Sequence, residues 1–208
     1  MSQTTELKPR KRPRQRRAQA TVDAIVEATA RILLEDGYDK TSTNRVAKRA
    51  GVSVGSLYQY FPSKEALVLE VARRHSDEMI GVLQQASIDL AGEPIPQAIR
   101  TYVKAMLAAH AVDPPLHKVM VEQVLHLGLD NIDDLQERAR TLVSAYLTLH
   151  ADEILPKNIE IAAFVLVSAV ESVTHGAVLY APEHLDDPAF EDELCALIQR
   201  YLLGSAAD

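Results

Sequence analysis

A single cysteine, Cys195, stands among 208 residues, which excludes an intramolecular disulfide framework. No apolar run of about 18 residues escapes interruption by charge, and the apolar segment 161–170 is too short to span a bilayer. The basic N-terminus is not followed by an apolar segment of the secretory type, so no membrane association is expected and the cytoplasm is the expected location. No internal repeat is visible. The seven histidines include no His-x-x-x-His pair and no Cys–His cluster at zinc-site spacing, so no metal is expected. Gly-x-Ser-x-Gly, P-loop and His-Glu-x-x-His patterns are missing too, and Cys195 has no recognisable catalytic context; neither an enzyme nor a cofactor is expected. Eight glycines, ten prolines and long stretches of Ala, Leu, Val, Glu and Arg leave little that alternates as a strand does, so the fold class is all-α.

What is present begins with charge. The net charge of −7 does not by itself suggest nucleic acid, but residues 1–75 hold 15 Lys+Arg against 8 Asp+Glu and residues 76–208 hold 7 against 21. A head of +7 joined to a body of −14 implies that only the head approaches a polyanion. Length and a 47% apolar content suit a small domain plus a larger one. The expected division is a disordered basic arm over 1–17, a DNA-binding head over 18–66, and a helical ligand-binding and dimerisation domain over 67–208. The arm carries Arg14, Arg16 and Arg17 among seven cations. It reads either as a solvated tail or as a segment that follows the minor groove or the phosphates.

The helical pattern can be followed along the chain. Val22, Ile25, Val26, Thr29, Ile32 and Leu33 make a stripe over 18–36, stopped by Gly37. Between 42 and 67 the sequence is STNRVAKRAGVSVGSLYQYFPSKEAL. Val46, Ala47 and Ala50 form one apolar stripe on a helix that Ser42 or Thr43 can cap, and Gly51 supplies a turn. Ser53 can cap a second helix, with an inward face of Val54, Leu57 and Tyr58 or Phe61, ending at Pro62; Ser63 caps a third. Later helices are expected to about residue 90, from 93 to about 113, from 116 to 127, from an Asn131–Asp134 cap to about 155, from 157 to 180 and from 187 to 203.

Two short helices around a tight turn constitute a helix-turn-helix, whose second helix lies in the major groove of DNA. Here the chain resembles the TetR family of bacterial transcriptional regulators. The resemblance rests on Thr43, Val46-Ala47, Ala50-Gly51-Val52-Ser53, Gly55, Leu57-Tyr58, Tyr60-Phe61, Lys64 and Leu67. It extends to Ile25, Ala28, Leu33 and Gly37-Tyr38 of the first helix, covering roughly residues 20–70. It implies that Thr43 and Asn44 meet the DNA backbone or a base, and that Ser53, Val54, Gly55 and Ser56 approach base edges. Tyr58 and Tyr60 offer hydroxyls to phosphate oxygens, and Lys64 adds charge at a helix start; Tyr58 as a core tyrosine remains open. Val54, Gly55 and Ser56 lack long amide or guanidinium groups, so direct readout falls to Asn44, Arg45, Gln59 or the arm.

In the body, polar groups interrupt otherwise apolar helices: Tyr102, Gln123, His126, Tyr146, Glu171 and His175. In the resembled family such groups can line an effector pocket, with Met106, Met120 and Phe164 as apolar wall. Glu171 and His175, one turn apart, serve equally as a structural pair or a dimer contact. The helix over 157–180 is apolar almost all round, so it is either a monomer's central helix or part of an interface. Family members dimerise through their last two long helices, which points to Ala162, Ala169, Ser172, Gly176, Ala177, Leu194 and Ile198. The partners so implied are an operator duplex, a second copy and a small-molecule effector; an activator or a ligand-independent regulator with the same head stands as the alternative.

Overall fold

The computed structural model describes residues 16–90, 92–124 and 131–204; Arg14 and His126 lie outside them. Among the described residues all regular structure is helical. The chain divides into two compact units. One is Met1–His75 with Pro115–Leu129, and the other is Ser76–Pro114 with Asp130–Asp208. The division expected near residue 66 therefore falls at 75, and a segment from the middle of the chain clusters with the N-terminal unit.

The first unit holds α1 (Arg16–Lys40), α2 (Thr43–Ala50), α3 (Val54–Tyr58) and the start of α4 (Lys64–Leu90). It also holds most of α6 (Pro114–Val119), which continues as a π-helical turn (Met120–Val124). The α1 stripe buries Ile25, Ile32 and Leu33 against Val46 and Ala47 of α2, Leu57 and Phe61 around α3, and Leu67, Val68 and Val71 of α4. Leu116 and Met120 close the same core. Gly37 stops the regular part of α1: its φ of 78° and ψ of 176° suit only glycine, and one further turn runs to Lys40. The Gln123 side-chain oxygen then accepts from the Tyr38 amide at 2.7 Å, satisfying a group that the break in α1 releases. Ser42 caps α2, and Gly51, at φ 68°, closes it in the left-handed conformation, its N–H bonding to Ala47 and Lys48 carbonyls. Arg16 and Arg17, expected in the arm, form the exposed first turn of α1.

The second unit holds the rest of α4, α5 (Ile95–His110), α7 (Asn131–Leu149), α8 (Ile159–Tyr180), a 3-10 turn (Pro182–Asp186) and α9 (Pro188–Leu203). Helix α8 packs on α7 and α5, and α5 packs on α9. Val103, Leu147, Ala162, Val170, Leu194, Ile198 and Leu202 make the shared core. Asn158 and Asp187 cap α8 and α9, accepting from Ile161 N at 3.1 Å and Ala189 N at 2.9 Å. Helix α7 ends at Leu149, about a turn and a half short of its expected end, and His150 bonds Glu153 across the turn that follows. By length and hydropathy α8, at 22 residues, could cross a membrane, yet 44% of its most apolar window is buried inside the protein. One face of it packs on α5 and α7, and the other stays exposed at Ile161, Phe164 and Val165.

Candidate nucleic-acid interface

The first unit presents α2 and α3 as the two arms of a helix-turn-helix. Helix α3 is five residues long, shorter than expected, because Tyr60 and Phe61 both turn back to bond the Leu57 carbonyl. Its orientation corrects the sequence reading at one position: Val54, placed on the inward face, is exposed, while of the alternatives Tyr58 and Phe61 it is Phe61 that joins Leu57 in the core and Tyr58 that is exposed. Val54, Gly55, Tyr58 and Gln59 lie at i, i+1, i+4 and i+5 and form one exposed face. Tyr58 is thus not a core tyrosine; its hydroxyl meets the Thr43 hydroxyl at 3.2 Å, tying the start of α2 to the end of α3. Ser53 caps α3 by accepting from Ser56 N at 3.0 Å, and the two serine hydroxyls bond each other at 2.8 Å. Asn44 is exposed, and Tyr60 is half-buried against the core.

Two cations expected at the DNA have partners within the protein. The Arg45 guanidinium pairs with the Asp36 carboxylate and donates to the Lys40 carbonyl at 2.6 Å, locking α2 to the end of α1. Lys64 donates to the Tyr38 carbonyl at 3.3 Å and sits 3.8 Å over the Tyr38 ring. Alongside them, Arg49 pairs with Glu35, and its hydrogen bond holds that carboxyl below its ordinary pKa. These acidic partners at 35 and 36 are not legible in the sequence, because the pairing joins two helices across the turn between them. Arg16 and Arg17 stand exposed at the positive end of the α1 dipole, where a bound anion would relieve their repulsion.

The structure scatters the expected effector group. Met120 and Gln123 belong to the first unit, one in its core and one capping Tyr38. Tyr146 donates its hydroxyl to the Glu93 carbonyl at 2.9 Å. Phe164, 53% exposed, opens onto a cleft of about 600 Å³ between α7 and α8, lined also by Arg140, Thr141, Ser144 and Ile161. What stays together is Tyr102 and Met106 on α5 with Glu171 and His175 on α8, joined by His110, which the sequence reading had passed over. His110 lies with its ring centroid 5.1 Å from that of His175 and its Nδ1 donating to the Met106 carbonyl at 2.7 Å. The Tyr102 hydroxyl is buried without a hydrogen-bond partner; burial, and then the Glu171 charge, pushes its pKa up. Burial pushes the His175 pKa down, so the ring is neutral at pH 7.

Of the residues expected at a dimer face, Ala162, Ala177, Leu194 and Ile198 are buried in their own unit's core, where they contact α5 and α7–α9 neighbours rather than solvent. Ser172 lies on the far side of α8 and is exposed, while Ala169 and Gly176, half-buried, border the buried face.

A helix-turn-helix head with its second helix exposed, followed by a larger helical body, defines the class of helix-turn-helix transcriptional regulators. Residues 94–202 match the family model described as "Tetracyclin repressor-like, C-terminal domain", and residues 25–71 match "Bacterial regulatory proteins, tetR family". The chain belongs to the TetR family. It is 27% identical over 132 residues to the uncharacterized HTH-type transcriptional regulator YuxN of Bacillus subtilis (strain 168), a match over 63% of this chain and 43% of that protein. It is 31% identical over 130 residues to the HTH-type transcriptional regulator RutR of Escherichia coli (strain K12), over 62% and 60%. The match therefore spans less than two thirds of either relative. The solved structure of NalD, the secondary repressor of the MexAB-OprM multidrug efflux pump in Pseudomonas aeruginosa, shares the fold at TM-score 0.71 and 18% identity, covering 92% of this chain and 100% of that one.

Proposed function

We propose that the chain is a repressor that binds a palindromic operator as a homodimer in the cytoplasm and is released by a small-molecule effector. The observation that carries the dimer is the outer row of α8. Ile161, Val165, Ser168, Ser172, Gly176 and Leu179 recur at spacings of three and four without a single charge, and Ile161 is 58% exposed. A charge-free helix face in water marks an interaction surface. Leu197 and Tyr201, one turn apart on α9, are exposed too, and α8 and α9 both pack on α5; in this reading two copies of the α8–α9 pair make a four-helix contact.

The effector reading is supported by the Tyr102 hydroxyl, a buried polar group left for a ligand to satisfy, beside neutral His175. A ligand switches the operator affinity only if it favours one conformation of the dimer over another. Helix α4, which contributes to both units, is the element through which that preference reaches the head.

Ser172→Arg tests the assembly by placing a charge in the middle of the row. Sedimentation should show a monomer with unchanged helical content. Operator affinity should fall by about 100-fold or more, because the two half-sites are then bound singly. A variant that stays dimeric and binds with wild-type affinity sinks this reading.

A further inference from the structure

We infer that the Val54–Gly55 step of α3 reads a thymine in the operator half-site, with the Val54 side chain packed on the 5-methyl group and Gly55 giving the helix backbone room to approach the base edge. The inference rests on the DNA-binding reading and names what the exposed face of α3 recognises.

Three observations converge on it. First, Val54 is 37% exposed on the surface of a unit that has a core available, and the exposed face it shares with Gly55, Tyr58 and Gln59 carries no charge. In the major groove the group that an aliphatic side chain distinguishes is the thymine methyl, which the other three bases lack. Second, the fold has no use for the missing side chain at Gly55: its φ is not positive, and an added Cβ would meet nothing closer than the Ser53 hydroxyl at 3.9 Å. Glycine inside a helix weakens it, so its place here is explained by something outside the chain that must come close. Third, several neighbouring groups that could compete for base contacts are engaged elsewhere, while Asn44 and Gln59 stay exposed beside the step. Ser53 and Ser56 bond each other, Arg45 is held by Asp36 and Lys40, and the Tyr58 hydroxyl is at Thr43. The first turn of α3 therefore offers shape and apolar contact.

The test uses the full-length protein to select duplexes from a random library, then replaces each thymine of the selected half-site by deoxyuridine, which removes only the methyl. One position per half-site should lose affinity about fourfold, the order expected for one buried methyl. Val54→Ala, which withdraws both methyls from reach of the base, should bind the thymine and deoxyuridine duplexes equally. Gly55→Ala should melt at or above the wild-type temperature, while its operator affinity falls at least tenfold. Selected duplexes that are indifferent to every such replacement overturn the inference and leave the DNA-binding reading standing. Discrimination that persists in Val54→Ala also overturns it. Failure to select any duplex overturns both.

Discussion

At the scale of single residues, type alone told little about role, because the same chemistry serves two purposes in this chain. Arg45 and Lys64 look like phosphate ligands by charge and position, yet one is a clamp between helices and the other stacks on Tyr38. Gln123 looks like a pocket residue, yet it receives the Tyr38 amide where Gly37 breaks α1. Tyr102 is the converse: its hydroxyl is desolvated with no partner, an arrangement that weakens the fold by about 1–3 kcal/mol unless something outside the chain satisfies it. Tyr102→Phe should therefore leave the melting temperature unchanged or higher and operator binding intact, while abolishing release of the operator by a metabolite extract that releases the wild type. A variant that is clearly less stable, or that is released normally, shows the hydroxyl to be structural.

At the scale of elements, α5 and α8 bring His110, His175, Tyr102 and Glu171 to one place by packing apolar faces that happen to carry them. Burial lowers the His175 pKa from its ordinary 6.5, so the unfolded chain takes up a proton before the folded one does. Stability from this group is fully present above pH 6.5 and is lost as the pH falls through 6.5 toward the lowered folded value. Thermal melts between pH 7.5 and 5.5 should thus fall more steeply for the wild type than for His175→Gln. Equal slopes would remove His175 from the acid response. Helix ends follow local chemistry more closely than helix faces do: Ser42 and Ser53 cap where the sequence offers them, and Asp187 opens α9, whereas the Asn158 cap of α8 is a finding of the structure. Helix α3 ends short of Pro62, the expected stop, because the Leu57 carbonyl accepts from both Tyr60 and Phe61 and the chain turns there.

At the scale of the whole molecule, charge is divided along the chain, with a basic first 75 residues and an acidic remainder. Binding through the basic part predicts a steep salt dependence, since each phosphate neutralised releases counterions. A plot of log affinity against log salt should be steep for the full chain. Deleting residues 1–17, which removes seven Lys and Arg, should flatten that slope by several and weaken binding at low salt. An unchanged slope and affinity would assign DNA binding to the described head alone and leave the arm without a part in it.

The all-α class, the helix-turn-helix between 42 and 67 with its caps, and the family were legible in the sequence because each is a local property. Helical period, a left-handed glycine at 51 and a capping serine at 53 act within a few residues of themselves. Tertiary structure decided which side of each stripe faces inward, since burial depends on what lies opposite. It placed Val54 and Tyr58 outward, sent Ala162, Ala177, Leu194 and Ile198 into a core, and left the charge-free row of α8 uncovered. It also paired Arg45 with Asp36 and Gln123 with Tyr38, contacts that separation along the chain hides and folding alone brings within bonding distance.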